Sequence, residues 1–298
     1  MPIRLDPNLL PSLLTSIQQT LQNETTASQE LATGRSVSQL SDNPAAAAAL
    51  VSNFNQSSAD DQYIQNAATL QARFQTADAS LSNVVTVLTR AITLGTEGAN
   101  GTLNAGDRQA IAGEVKGLIS QSLGLANTTY QGAYLFAGTA VNTQPFVQDP
   151  VTGVVTYTGN ATTTSVQIEN GTQLGENVPG SQLFQNASGG VFTSLQDLYT
   201  SLQSGNGIGA AVTEVQSALT QLSTNRVFYG NALNQISLSD NFLSQDKLDL
   251  SSQENTLVGA NPAAAASEFS QAQTANQELL AATAKVLNLP TLFTYLPV

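Results

Sequence analysis

AATLQARFQTADASLSNVVTVLTRA (67–91) places an apolar residue at every third or fourth position without interruption. Ala67, Leu70, Phe74, Ala77, Leu81, Val84, Leu88 and Ala91 make the row, at steps of 3, 4, 3, 4, 3, 4 and 3. That alternation holds all eight on one stripe of a long helix, the a/d seam of a coiled coil. No Gly and no further Pro interrupts the chain from Pro44 to Leu94. One helix over 44–94 is therefore expected, broken by the four glycines of GTEGANGTLNAGD (95–107).

Working outward, Ile111, Val115, Leu118, Ser122 and Leu125 carry steps of 4, 3, 4 and 3. They predict a further helix packed antiparallel to the first across a short loop. DRQAIAGE (107–114) opens it with Asp near the positive helix end. A second long row runs from Val212 through Val215, Leu219, Leu222, Arg226, Tyr229, Leu233, Ile236, Asp240, Leu243, Lys247, Leu250 and Glu254 to Leu257. Its four charged members are expected to face solvent, with pairing across the seam as the alternative.

The two ends mirror each other. Leu10, Leu14, Ile17, Leu21 and Leu31 fit one seam, and Phe269, Ala272, Asn276, Leu279, Thr283 and Val286 fit another. The string NPAAAA occurs at Asn43–Ala48 and again at Asn261–Ala266. In each copy Asn can cap a helix, Pro suits its first turn, and alanines favour its continuation. Each is read as a helix restart that separates a terminal arm from a long inner helix.

Between 136 and 190 the period changes to Thr/Val alternation with Gly and Pro breaks and Asn170–Gly171. Short strands at 154–158 and 164–169, with hairpin chemistry, are expected there. The predicted fold is mainly α: a long antiparallel, coiled-coil-like bundle formed by the N- and C-terminal halves, with a small β-rich insert domain in the middle. The expected division is 1–43 plus 261–298 as terminal arms, 44–135 plus 191–260 as the helical bundle, and 136–190 as the insert.

Composition narrows the function. Charged residues are 10% of the chain and the net charge is −12. Only Lys116, Lys247 and Lys285 are lysines, so the clustered cations that nucleic acid or an anionic membrane would need are missing. There is no Cys and no His. Zinc fingers, HExxH sites and Ser-His or Cys-His pairs are thereby excluded, and no metal or cofactor is expected. GNGIGA (205–210) matches a dinucleotide-binding pattern but follows a helix rather than a strand, so a turn between helices is expected. Asp60, Asp61, Asp246 and Asp249 are expected to be solvated charges on polar helical stretches, and catalysis is not expected. MPIRLDPNLLPSLL (1–14) does not read as a secretory signal, so any export would follow a route without a cleaved leader.

The residues then carry a resemblance. ELATGRSVSQLSDNPAAAAAL (30–50), GTLNAGDRQAIAGEVKGLI (101–119) and NRVFYGNALNQI (225–236) are similar to the two helical ends of bacterial flagellins and their junction relatives. YLFAGT (134–139) with Pro145–Phe146 resembles the hook–filament junction branch of that family. So do Tyr157-x-Gly159, Val166-x-Ile168, Asn177-x-Pro179-Gly180 and Phe184, and the ending NLPTLFTYLPV. Asn43 stands where the family often has a second acid before Pro44.

The resemblance implies a structural protein, exported unfolded through the flagellar type III channel with a flagellar export chaperone as an earlier partner. It would lie outside the cell, between hook-associated protein 1 and flagellin, with copies of itself in a ring. The alternative within the family is a minor flagellin that builds filament. A third reading takes the insert as an adhesive or glycan-bearing surface, which Thr162, Thr163, Thr164 and Ser165 permit without indicating it.

The arms also have a physical argument of their own. Five large seam residues over 10–31 bury too little apolar surface to offset the entropy of ordering that segment. Both arms are thus expected to be mobile in the free monomer and to order when neighbouring subunits bury their seams. The expected interface residues are Leu14, Ile17, Leu21, Leu279, Leu280, Leu287, Leu292 and Phe293. Asp42, Asn43, Pro44, Asn261 and Pro262 form the expected restart region.

Overall fold

The structure is a computed structural model that describes residues 9–37, 39, 43–185 and 189–287. Its elements, in chain order, are α1 (Leu9–Thr33), α2 (Pro44–Gly98), α3 (Ala105–Ala126), β1 (Thr129–Tyr130), β2 (Ala133–Tyr134), β3 (Phe146–Gln148) and β4 (Val155–Tyr157). After them come β5 (Ser165–Glu169), β6 (Thr172–Gly175), α4 (Gly180–Phe184), α5 (Gly190–Ser204), α6 (Ile208–Val258) and α7 (Pro262–Leu287). Two compact units divide the chain: Met1–Ser57 with Lys247–Val298, and Ser58–Asp246.

In the larger unit, Ser58–Asp246, every member of the 67–91 row is buried. Facing it antiparallel are Val212, Val215, Leu222, Tyr229 and Ile236 of α6. Phe74 meets Tyr229 edge-on at 5.4 Å and Phe228 at 5.9 Å. Burial pushes the Tyr229 hydroxyl pKa upward, because the interior disfavours phenolate. One charge on the α6 row departs from expectation. Arg226 is half-buried and grips Asp78 of α2 through two hydrogen bonds, Nε–Oδ1 at 2.5 Å and Nη2–Oδ2 at 3.0 Å. A guanidinium fork can reach across a seam flank and still satisfy its geometry. Asp240 is exposed, as expected.

Asp60 is a second correction. It is 5% exposed rather than solvated. Counting back one heptad from Ala67 reaches Asp60, so it sits on the seam stripe itself.

α2 also runs further than expected. It continues through Gly95 and ends at Gly98, and the break falls at 99–104. Gly95 does not break the helix and Gly98 is its last residue; both admit neighbours. A Cβ on Gly95 would lie 2.5 Å from Val212 Cγ2, and one on Gly98 would overlap Leu202 Cδ2. α3 then starts with a reciprocal cap. Asn104 Oδ1 accepts from Asp107 N at 2.9 Å, and Asn104 N donates to Asp107 Oδ2 at 3.2 Å. It returns along α2, where Ser80 Oγ donates to Leu125 O at 2.8 Å and Arg90 pairs with Glu114 at 2.9 Å. Its buried stripe is Ile111, Ala112, Val115, Ile119, Ser122 and Ala126, so Leu118 and Leu125 sit on the flank. The first half of GNGIGA, 205–207, is the turn between α5 and α6, with Gly205 left-handed at φ 75, and its second half opens α6.

The expected strands exist as β4 and β5, each in its own two-stranded antiparallel pair: β3 with β4 and β5 with β6. Asn170–Gly171 closes the second pair, Gly171 at φ 79. A third pair, β1–β2, turns at Gln131–Gly132. Phe146 lies within 5.2 Å of the rings of Tyr157, Phe184 and Phe192. This aromatic knot joins the core shared by α2, α3, α5 and α6. Among the described residues no helix is long and apolar enough to cross a membrane.

Candidate functional site

Composition offers no chemical centre, and among the described residues no cluster of acidic side chains could hold a metal ion. The features that ask for an explanation lie in the smaller unit, where α1 and α7 meet.

Each Asn-Pro-Ala copy restarts a helix as the sequence predicts. Asn43 Oδ1 accepts from Ala46 N at 3.1 Å, and Pro44 opens α2. Asn261 Oδ1 accepts from Ala263 N at 3.0 Å and Ala264 N at 3.3 Å, and Pro262 opens α7. The small side chains have a packing use too, since Ala46, Ala47 and Ala265 are buried.

A clasp beside the restarts was not read from the sequence. Gly34, left-handed at φ 69, ends α1. Arg35 and Gly259 then pair as a one-residue antiparallel bridge. Ser36 N donates to Val258 O at 2.7 Å, and Ala260 N donates to Gly34 O at 2.8 Å. Arg35 Nη2 reaches Glu254 Oε1 at 2.5 Å across the same point. Both sides of the ion pair are about half exposed, so the backbone bridge carries more of the connection than the charges do. The legible signal was a Gly shortly before each Asn-Pro: Gly34 and Gly259.

From this clasp α1 and α7 run side by side, with Asn276 Nδ2 donating to Glu24 Oε2 at 3.3 Å. The α7 seam is as expected: Ala272 is buried, and Phe269, Asn276, Leu279, Thr283 and Val286 are half-buried. The α1 seam is rotated. Its inner face is Leu13, Ile17, Thr20, Glu24 and Ala27, again at steps of 4, 3, 4 and 3. Of the predicted row Ile17 lies there, and the side chain of Leu10 lies outside the described residues. Leu14, Leu21 and Leu31 remain exposed, because two heptad stripes share Ile17 and α7 covers the more polar one.

The expected interface residues therefore separate into two groups. Ile17 and Leu279 are half-buried between the arms, while Leu14, Leu21 and Leu280 face outward. The side chain of Leu287, together with Leu292, Phe293 and Asp42, lies outside the described residues.

In the larger unit the signature residues of the insert converge on one knot. Phe136 O accepts from Gly180 N at 2.8 Å and lies 3.0 Å from the Tyr157 hydroxyl. A Cβ on Gly180 would lie 2.7 Å from the Phe146 ring, and one on Gly159 would lie 2.6 Å from the Tyr157 hydroxyl. Asn177 is buried; its Oδ1 accepts from Thr164 N at 2.9 Å, and its Nδ2 donates to Thr162 O at 3.1 Å. These contacts fasten the insert to itself, while Phe146 and Phe184 pack on Phe192 of α5 and Asn127 at the end of α3 bonds the Phe146 backbone.

Residues 9–141 match the bacterial flagellin N-terminal helical region, and residues 212–296 match the bacterial flagellin C-terminal helical region. A protein named flagellar hook-associated protein 3 from Escherichia coli strain K12 is 28% identical over 282 residues, covering 84% of this chain and 86% of the relative. Among solved structures, FlgL of Xanthomonas campestris superposes with a TM-score of 0.61 at 18% identity, over 67% of this chain and 98% of that one. The flagellar junction protein FlgL from Legionella pneumophila gives 0.54 at 15%, over 60% and 95%.

Proposed function

The chain belongs to the bacterial flagellin family, structural parts of the flagellum and not enzymes, and from that premise we propose that it is the adapter joining hook to filament. It seats on hook-associated protein 1 at the hook tip, and flagellin assembles above it. The observation that carries this reading is the span of the similarity. The relative named hook-associated protein 3 aligns over 84% of the chain. The residues that carry the resemblance to the junction branch, among them Phe136, Phe146, Tyr157, Gly180 and Phe184, pack together, and Phe146 and Phe184 join them to Phe192 of α5.

The arms, 1–43 and 261–298, are the polymerising part of this proposal, and the insert, 136–190, is its outward part. Copies sit in a ring, with the exposed stripe of Leu14, Leu21 and Leu280 meeting neighbouring subunits. Export follows the type III route with a chaperone holding the chain beforehand. The outer face of α1 fits that life cycle: an apolar stripe left uncovered in one chain is available to others.

Immunogold labelling of intact flagella with antibody against residues 136–190 tests the reading. A single narrow band between hook and filament is expected. Label along the whole filament would make the chain a minor flagellin. Absence of label from flagella would remove both assignments.

A further inference from the structure

α6 carries a second row on the side away from its core face. Val227 is 57% exposed, Leu238 70% and Phe242 55%. Single exposed apolar residues need no explanation, but these lie within one narrow stripe at helical spacing. The exposed positions between them on that stripe, among them Asn231, Asn234 and Gln235, bear no charge. Gly230 stands exposed at the edge of the same stripe, and a Cβ there would meet no atom within 4 Å. Glycine weakens a helix interior relative to alanine, and among the described residues no neighbour requires it at that position.

α3 has the complementary peculiarity. Gly113, Gly117 and Gly124 lie on one exposed face of a single helix, each with open space where a Cβ would stand. Contrast Gly95 and Gly98 of α2, which neighbours fill. The line of α3 through these glycines, with Ala110 and Ser120, is also uncharged, and Glu114 and Lys116 stand exposed at its two edges.

Resting on the reading of the chain as a self-assembling flagellar part, we infer that a second copy lays its α3 antiparallel along this outer face of α6. Leu238 and Phe242 are four residues apart, as are Gly117 and Gly113. Two knobs one turn apart thus meet two notches one turn apart. In that register Gly124 falls opposite Asn231 and next to Gly230, where two glycines let the helix backbones approach closely. Electrostatics favours the same partner. Chains of net charge −12 repel one another, and they come together at least cost over faces whose centre lines bear no carboxylate, Glu114 at the α3 edge being already paired with Arg90. The two patches differ, so each copy offers one of each, and the contact propagates around a ring or helix rather than closing a pair.

Cysteine cross-linking tests this, because the chain has no cysteine of its own. Full-length chain carrying Gly117→Cys is mixed with chain carrying Leu238→Cys, brought towards assembly with ammonium sulfate, and oxidised by oxygen with a copper catalyst. Mixed disulfide dimer is expected at least tenfold above the yield from Val151→Cys with Leu238→Cys, position 151 being 91% exposed in the insert. Gly113→Cys with Phe242→Cys is a second pair for the same register, and circular dichroism verifies that each variant is helical. Mixed dimer no higher than the control in both pairs overturns the inference. Leu238→Cys dimerising with itself in preference also overturns it, since α6 would then lie on α6. Immunogold label at the junction without the cross-link removes this surface alone and leaves the adapter reading in place.

Discussion

At the scale of single residues, what could be read in advance was whatever acts within one turn of helix. Asn43 and Asn261 cap because the donors they satisfy lie two and three residues ahead, whatever the rest of the chain does. Asn43→Ala or Asn261→Ala is expected to cost about 1 kcal/mol, read as a lower guanidinium midpoint at unchanged slope. Asp60 and Arg226 were not legible in this way. A heptad position tells which side of a helix a residue occupies, not what stands opposite, and Arg226 found Asp78 148 residues away in the chain. Tyr229 shows what such a position does to a titrating group. Its pKa is raised in the folded chain above its ordinary value of 10.0. The unfolded chain therefore loses the proton first as pH rises. The associated stability is complete below pH 10, falls as pH climbs beyond it, and does so less steeply in Tyr229→Phe. Denaturation midpoints across the alkaline range measure both slopes.

At the scale of elements, glycine had two meanings that composition does not distinguish. Four glycines in thirteen residues read as a break, yet Gly95 and Gly98 belong to α2 and hold Val212, Leu198 and Leu202 close to its backbone. Gly95→Ala is expected to destabilise by about 1–3 kcal/mol through overpacking, despite the better helix propensity of alanine. Gly117→Ala and Gly230→Ala are expected to stabilise the single chain by roughly 0.5–1 kcal/mol, since no atom opposes the added methyl. Thermal melts of the three variants should move in these opposite directions. The strands carried the same lesson. Period and Asn-Gly located β4 and β5, but the residues that pair with them, in β3 and β6, are short and weakly patterned. The α1 stripe was misplaced because two rows at the same heptad spacing cross at Ile17, and only the position of α7 chooses between them.

At the scale of the whole molecule, the outward leucines and the inner seam should separate assembly from stability. Leu21→Gln is expected to abolish or strongly reduce incorporation into flagella while shifting the monomer denaturation midpoint by less than about 0.5 kcal/mol equivalent. Ile17→Gln, on the half-buried face, should lower that midpoint measurably. Protease treatment of the free chain is expected to trim both ends and spare a middle fragment, and uniform resistance would contradict arms that need neighbours. The sequence by itself determined that this protein is an antiparallel helical assembly with mirrored ends and a β-bearing insert, and that no Cys or His chemistry is available to it. Heptad spacing, capping and the lack of Cys and His are local or compositional, and they survive without a partner in view. Only the tertiary structure decided which of two apolar stripes α1 turns inward, which glycines are filled and which lie open, and that the chain ends are clasped at Arg35 and Gly259. Those choices depend on what packs against each face, and side chains far apart in the sequence meet only once the chain has folded.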